Sequence, residues 1–301
     1  MEGLGLLPGQ TPNGYLGTGV SGDGSRVVGW GTTNRGFSAE AFLWEGGAMV
    51  GLGSLAPAGN STAWGISADG MTIVGESASL SGDQAYRWHN GAMQGLGFIG
   101  AFGIDEDVSS IAQGVSDDGE VVVGSSTSAD AFREAFRWQD GAMSGLGDLP
   151  GGDDSSWAFG ASADGSIIVG WGTTDAGQEA FVWDASHGMR NLRSVLVDAG
   201  LDLSGWTLFE ASDVSDDGTV IVGDGYQPGR QLRSIPRGYS GAGVADVPHD
   251  HRACLFRPAH TASPHGRRKK ARLRASSTRS TPRSMKPNMP MSVGTLSCSA
   301  K

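Results

Sequence analysis

Residues 1–226 contain no lysine and no cysteine. The first absence leaves 7 arginines against 30 Asp and Glu, a net charge of −23 for that stretch, so any basic surface for nucleic acid has to lie elsewhere. The second removes disulfides and thiolate-held zinc from the same residues. Histidine is scarce, with 6 in 301 residues. No stretch approaches the roughly 20 apolar residues of a membrane span. The opening Met-Glu-Gly-Leu-Gly-Leu-Leu-Pro has neither the basic start nor the long apolar core of a secretory leader. A P-loop, a dinucleotide fingerprint, an EF-hand loop and a Gly-x-Ser-x-Gly elbow are all missing, which excludes the corresponding motif-based readings.

Glycine, in contrast, is abundant, at 50 residues. Much of it belongs to one recurring pattern: Val20-Ser-Gly-Asp-Gly24, Ile66-Ser-Ala-Asp-Gly70, Val115-Ser-Asp-Asp-Gly119, Ala161-Ser-Ala-Asp-Gly165 and Val214-Ser-Asp-Asp-Gly218. Each is followed by a β-branched run ending in glycine, such as Val121-Val-Val-Gly124 and Val220-Ile-Val-Gly223. Successive Asp-Gly pairs are 46, 49, 46 and 53 residues apart. A second pattern interleaves: Ala41-Phe-Leu-Trp44, Ala85-Tyr-Arg-Trp88, Ala135-Phe-Arg-Trp138 and Ala180-Phe-Val-Trp183. The first three continue through a glycine turn into Ala-Met-x-Gly-Leu-Gly.

Alternation of apolar and polar residues marks these segments as half-buried strands, and Asn90-Gly91 and Asp140-Gly141 as tight hairpin turns. Counted from Ala-Phe-x-Trp, each unit reads as four short strands, with the Asp-Gly turn between the third and fourth. Four strands in about 46 residues is the size of one propeller blade, so residues 1–225 are expected to be an all-β, β-propeller-like array of about five four-stranded repeats. A fifth Ala-Phe-x-Trp strand is lacking, and Ala253-Cys-Leu-Phe256 is the nearest substitute. Leu192, Val195, Leu196 and Ala199 fall on one face of a short inserted helix that Gly200 stops. Leu208 to Ala211 then resumes a strand.

On these residues the chain resembles the extracellular HAF-repeat proteins. Glu40-Ala-Phe-Leu-Trp44 with Gly65-Ile-Ser-Ala-Asp-Gly70, and Glu134-Ala-Phe-Arg-Trp138 with Gly114-Val-Ser-Asp-Asp-Gly119, carry the likeness, as does Glu179-Ala-Phe-Val-Trp183. It covers residues 3 to 225. The resemblance implies a secreted or surface-attached bacterial protein, sometimes joined to an autotransporter barrel or a sorting tail. It implies no reaction and no shared catalytic residues.

Residues 226–301 read differently. From 227 onward 15 Lys and Arg face only two acids, a net +13, and both cysteines, Cys254 and Cys298, lie there. That composition predicts a disordered basic tail. Either Arg267-Arg-Lys-Lys-Ala-Arg-Leu-Arg274 binds nucleic acid or an anionic surface, or the segment is a shifted-frame or non-native stretch.

The candidates for chemistry are few. Asp105, Glu106 and Asp107 lie in one lengthened loop and Asp153 and Asp154 in the corresponding loop of the next unit; oxygen ligands on glycine-rich loops suit Ca²⁺. His89 and His187 follow Ala-Tyr/Phe-x-Trp strands and, with Asp105 and Asp107, are the candidate catalytic groups. Solvated turns and loops account for all of them equally. The repeated Ser and Asp of the Asp-Gly turns are expected to shape hairpins rather than attack substrates. Trp64 and Trp157 are positioned either to stack on sugars or to pack a core. Two functions follow: a monomeric surface module that binds a small molecule, carbohydrate or surface ligand, or a Ca²⁺-dependent hydrolase of lactones or esters.

Overall fold

The computed structural model describes residues 4–8, 14–32, 39–100, 108–129 and 133–227, with the backbone of two further strands at 252–256 and 297–299. The described residues form five four-stranded antiparallel sheets. Sheet 1 holds β1 (Tyr15–Val20), β2 (Arg26–Thr32), β3 (Ala39–Glu45) and β4 (Ala48–Gly51). Sheet 2 holds β5 (Ser61–Ile66), β6 (Thr72–Ser79), β7 (Gly82–His89) and β8 (Ala92–Gly95). In sheet 3 come β9 (Ser110–Val115), β10 (Val122–Ser126), β11 (Glu134–Gln139) and β12 (Ala142–Gly145). Sheet 4 follows with β13 (Ser156–Ala161), β14 (Ile167–Thr174), β15 (Gly177–Asp184) and β16 (Gly188–Asn191). After helix α1 (Leu192–Asp198), sheet 5 consists of β17 (Thr207–Val214), β18 (Ile221–Tyr226), β19 (Arg252–Phe256) and β20 (Ser297–Ser299).

Each sheet is a simple meander in chain order. The unit therefore starts one hairpin away from where the sequence pattern was cut. The strand before the Asp-Gly turn comes first, the Val-Val-Gly strand second and Ala-Phe-x-Trp third. The reason is connection length: the stretch after Leu-Gly, such as residues 52–60, is long enough to step to the next sheet, whereas the Asp-Gly turn can only fold a strand back on its neighbour. Ala253-Cys-Leu-Phe256 supplies the third strand of sheet 5, so this sheet reaches past the compositional boundary at 225. In the last pair, Cys254 stands opposite Cys298 in the backbone register.

The Asp-Gly turns show why Ser and Asp recur. In every turn the serine hydroxyl donates to the aspartate two residues on, at 2.6–2.8 Å. The glycine holds positive φ, between +64° and +73°, where a side chain is strained. These bonds hold the carboxyls of Asp23 and Asp164 down to about 2, through the backbone N–H of Ser25 and the hydroxyl of Ser166 respectively. The expected hairpin role is the one the structure shows.

Consecutive sheets stack through their first strands. Phe42, Tyr86, Phe136 and Phe181 of the third strands are at most 1 % exposed. A buried serine recurs at three seams: Ser61, Ser110 and Ser156 each accept the N–H of the alanine in the preceding third strand and donate to a Leu-Gly glycine carbonyl. Arginines add a second clasp, as Arg26, Arg87 and Arg137 donate to the carbonyls of Gly70, Gly119 and Gly165 in the next sheet's turn. The seam between sheets 4 and 5 has neither residue: in register Leu208 stands where the serines do, and Val182 stands where Arg87 and Arg137 do. It is held instead by an apolar cluster of Leu192, Leu196, Leu201, Leu203 and Leu208 under α1. Asn191 caps that helix by accepting the Ser194 N–H, and Gly200 ends it at φ +92°. Among the described residues no helix is long and apolar enough to cross a membrane, which says nothing of a β-barrel.

Candidate functional site

The five first strands meet around a central cavity of about 380 Å³. It lies toward the Asp-Gly end of the strands. Four of them contribute a short x-Gly-apolar segment: Thr18 to Val20, Trp64 to Ile66, Gln113 to Val115 and Phe159 to Ala161. Sheet 5 contributes Ser212, Asp213 and Val214, and the turns add Asp117 and Asp216. The repeat is thus broken where it faces the cavity. At the first of these positions stand Thr18, Trp64, Gln113, Phe159 and Ser212; at the second, four glycines and Asp213.

Main-chain contacts fix the rim. The Gly22 N–H donates to the Ala68 carbonyl, Asp117 N–H to Ala163 and Ala163 N–H to Asp216, tying neighbouring turns together. The Thr18 hydroxyl donates to the Ala63 carbonyl at 2.8 Å. Close approach requires two of the glycines at the second position: a Cβ on Gly114 would stand 2.3 Å from the Phe159 carbonyl oxygen, and one on Gly160 would stand 2.9 Å from the Asp213 Cα. At the seam that does not repeat, sheet 5 accommodates Asp213, whose carboxylate accepts the Val214 N–H at 2.8 Å.

The electrostatics follow from three carboxylates facing one space. Burial raises the Asp213 carboxyl above the ordinary carboxylate range, the Val214 N–H opposes this, and the nearby Asp216 charge adds to it. Asp117 is raised by burial first, then by Asp216 and Asp118. Among the described residues no Lys, Arg or His lines the cavity to offset them. The turn aspartates Asp23 and Asp164 are thus lowered, whereas Asp117 and Asp213 at the cavity are raised.

The residues singled out from sequence lie elsewhere. Asp105, Glu106 and Asp107 fall outside the described residues. Asp153 and Asp154 are exposed on the connection from sheet 3 to sheet 4, which meets the opposite end of the first strands from the cavity. That connection is tied down by Asp148, which accepts the Ser155 N–H at 2.5 Å, and by a bond from the Thr173 hydroxyl to the Asp153 carbonyl. Among the described residues no group of three or more His, Cys, Asp or Glu is arranged to hold a metal ion. His89 shares a hydrogen bond with the Thr72 hydroxyl at 3.1 Å in sheet 2, and His187 pairs with Asp184 at 2.8 Å in sheet 4. The structure does not bring the two together, and both sit at outer hairpin turns. Trp64 does reach the cavity, whereas Trp157 stacks near Trp171, with rings 6.2 Å apart, beneath the Arg133 guanidinium. Sequence reasoning missed Asp117, Asp213 and Asp216; the available signals were Asp213 at a position the other four repeats give to glycine, and Asp117 and Asp216 at the variable position of Ser-x-Asp-Gly.

Comparison with protein-family models and with curated proteins finds no match. Among solved structures the chain is similar to TolB from Acinetobacter baumannii, at 12 % identity and a TM-score of 0.49, covering 81 % of this chain and 52 % of that one. The chain thus spans about half the length of that structure. It is also similar to oligogalacturonate lyase from Vibrio parahaemolyticus, at 12 % identity and a TM-score of 0.46, over 82 % of this chain and 65 % of that one. The β-propeller domain of the Trilobed protease from Pyrococcus furiosus matches at 9 % identity and a TM-score of 0.43, over 82 % and 71 %.

Proposed function

We propose that this chain is a non-catalytic binding module that takes its ligand in the central cavity. The observation that carries this reading is the breakdown of the repeat at the cavity wall. Structural demands are the same in every sheet, so they select the same serines, glycines and aromatics each time. The residues at this position, Thr18, Trp64, Gln113, Phe159 and Ser212, differ from sheet to sheet, and with Asp117, Asp213 and Asp216 they line one predominantly polar cavity. In keeping with the HAF-repeat resemblance, the module belongs at the cell surface or outside the cell, where it serves adhesion or ligand capture.

The test is a set of glycan, peptide and amine arrays probed with the full chain and with a Gln113→Ala/Phe159→Ala variant. Retention of a ligand by the first and its loss by the second is expected. Binding that ignores the double substitution overturns the assignment of the cavity. Turnover of esters, lactones or glycosides that EDTA abolishes overturns the non-catalytic reading.

A further inference from the structure

We propose that this chain associates end to end, with sheet 5 of one copy seated on sheet 1 of a second. Within the chain, the same two apolar positions recur at every seam. One is the second-strand valine that faces the following sheet: Val28, Val74, Val123 and Val169, all fully buried. The other closes the first strand and faces the preceding sheet: Ile66, Val115, Ala161 and Val214. Val28 shares an apolar cluster with Ile66, Val74 with Val115, Val123 with Ala161 and Val169 with Val214. Four seams thus use four of the five residues at each position. Left over are Val222 of sheet 5, 38 % exposed, and Val20 of sheet 1, 59 % exposed.

Neighbouring residues extend both patches. Strand alternation places the exposed Tyr226 on the face of Val222, with its ring 6.5 Å from that of Phe209. On sheet 1, Val27 and Trp44 stand in register beside Val20, as Ile73 and Trp88 stand beside the buried-seam residue Ile66. Neither end offers the polar clasps of the inner seams. Tyr15 occupies the register position of Ser61, Ser110 and Ser156, and Leu255 that of Arg87 and Arg137. The seam between sheets 4 and 5 lacks the same clasps and is apolar, so the chain already makes one contact of this kind.

An array of repeats stays separate in solution when its end faces turn polar. Here they do not: Val222 is the same residue as its four buried equivalents. Among the described residues, sheets 1 and 5 of one chain form no seam with each other. A second copy carries both faces in matching register, and docking continues the stacking that the chain repeats internally. The contact is heterologous, so copies join as a closed pair or as a longer run. The monomer expected from sequence becomes a concentration-dependent assembly.

Sedimentation velocity of the full chain over a concentration series tests this, in reducing buffer so that Cys254 and Cys298 cannot cross-link copies. Single chains are expected when dilute and dimers or longer runs when concentrated, at low and high salt alike. Val20→Asp blocks one end and Val222→Asp the other, so each variant alone should remain a single chain. Mixed in equal amounts, they should form dimers and stop there, because one intact face of each kind remains. Thermal unfolding that matches the parent shows that each variant is folded. If either unfolds early, Val20→Thr and Val222→Thr replace them. Each should weaken association about tenfold through a buried, unpartnered hydroxyl, and the mixture should regain one strong contact. A parent that stays single at every concentration overturns the proposal. So do variants that assemble like the parent, or a mixture that stays single while the parent assembles. Association abolished by salt also overturns it, in favour of attraction between the basic residues 267–274 and the acidic repeats.

Discussion

Sheets 1 to 4 and sheet 5 are built from the same repeat but solve the same packing problem differently. At the earlier seams a buried serine and an arginine bind the main chain of the adjoining sheet, and these bonds recur with nearly constant geometry. Where sheet 4 meets sheet 5, those polar clasps give way to leucines under a short helix. The valine ahead of each Val-Gly or Leu-Gly-facing strand position shows the other side of the contrast: Val28, Val74, Val123 and Val169 are fully buried, whereas their equivalent Val222 is 38 % exposed. Among the described residues, sheet 5 is therefore covered on one face and open at Val222 on the other. Its first strand is also the one that replaces glycine with Asp213 and carries two register shifts instead of one. Repetition marks scaffold, and divergence collects where the scaffold is least constrained and the cavity wall is made.

Several substitutions can break that comparison. The largest effect is expected at the glycine of the second strand. A Cβ on Gly124 would lie 1.9 Å from the Ile111 carbonyl oxygen, and one on Gly223 would lie 2.1 Å from that of Glu210. Gly124→Ala, between two covered faces, should cost about 3 kcal/mol or more. Gly223→Ala should cost clearly less, because sheet 5 can shift toward its open side. Equal losses in chemical denaturation would show that sheet 5 is as rigidly held as the others.

Next come the seams. Leu196→Ala leaves a cavity in the leucine cluster and should destabilise by about 3 kcal/mol. Ser110→Ala strands the Ala85 N–H in a dry seam and should cost about 1–3 kcal/mol. If Leu196→Ala proves harmless, the apolar cluster is not what joins sheets 4 and 5. Smaller again is the valine pair: Val123→Ala should lose about 2 kcal/mol, since about 0.8 kcal/mol goes with each buried methylene-sized group and a void remains. Val222→Ala should stay within about 0.5 kcal/mol. In thermal unfolding 1 kcal/mol corresponds to a shift of roughly 2–4 °C at this size, so the pair is resolvable.

Much of this was legible in the residues themselves. The Asp-Gly turns, the Ala-Phe-x-Trp strands and the α1 insertion all announce themselves through periodicity and turn chemistry, and the structure places them as expected. The phase of the unit was not legible, because a repeat read along a chain has no natural beginning; only the length of the linking segment decides which strand opens a sheet. The loop acids drew attention because they cluster in sequence, yet Asp153 and Asp154 are exposed and distant from the cavity. Asp117 and Asp216 were hidden inside a motif, as the variable letter of Ser-x-Asp-Gly. Asp213 was hidden as a substitution at a glycine position. Neither signal is a cluster in sequence; both become one only when five strands are brought around one cavity.

The finest test of the contrast is pH, because a turn aspartate and a cavity aspartate are shifted in opposite senses. Asp164, in a regular turn, is held near 2 by the Ser166 hydroxyl, then the Ser166 N–H and the Ser162 hydroxyl. A depressed carboxyl stabilises the fold above its unfolded value of about 3.9, and that contribution is lost as the pH falls toward 2. Asp164→Asn should therefore lower stability at neutral pH and flatten the acid limb of the stability profile. Because Asp164 is largely solvated, the change should be small. Asp213 has the reverse sign. Its raised carboxyl favours the protonated fold, so it weakens the protein as the pH rises through and above the carboxylate range. Asp213→Asn should raise the unfolding temperature at pH 7, with the gain shrinking as the pH falls through the raised value of the carboxyl and gone below about 3.9. Urea denaturation of both variants from pH 2.5 to 7 reads the two slopes side by side. Slopes of the same sign would mean that the cavity aspartate is solvated like any turn acid, and the distinction between scaffold and cavity carboxylates would fall with it.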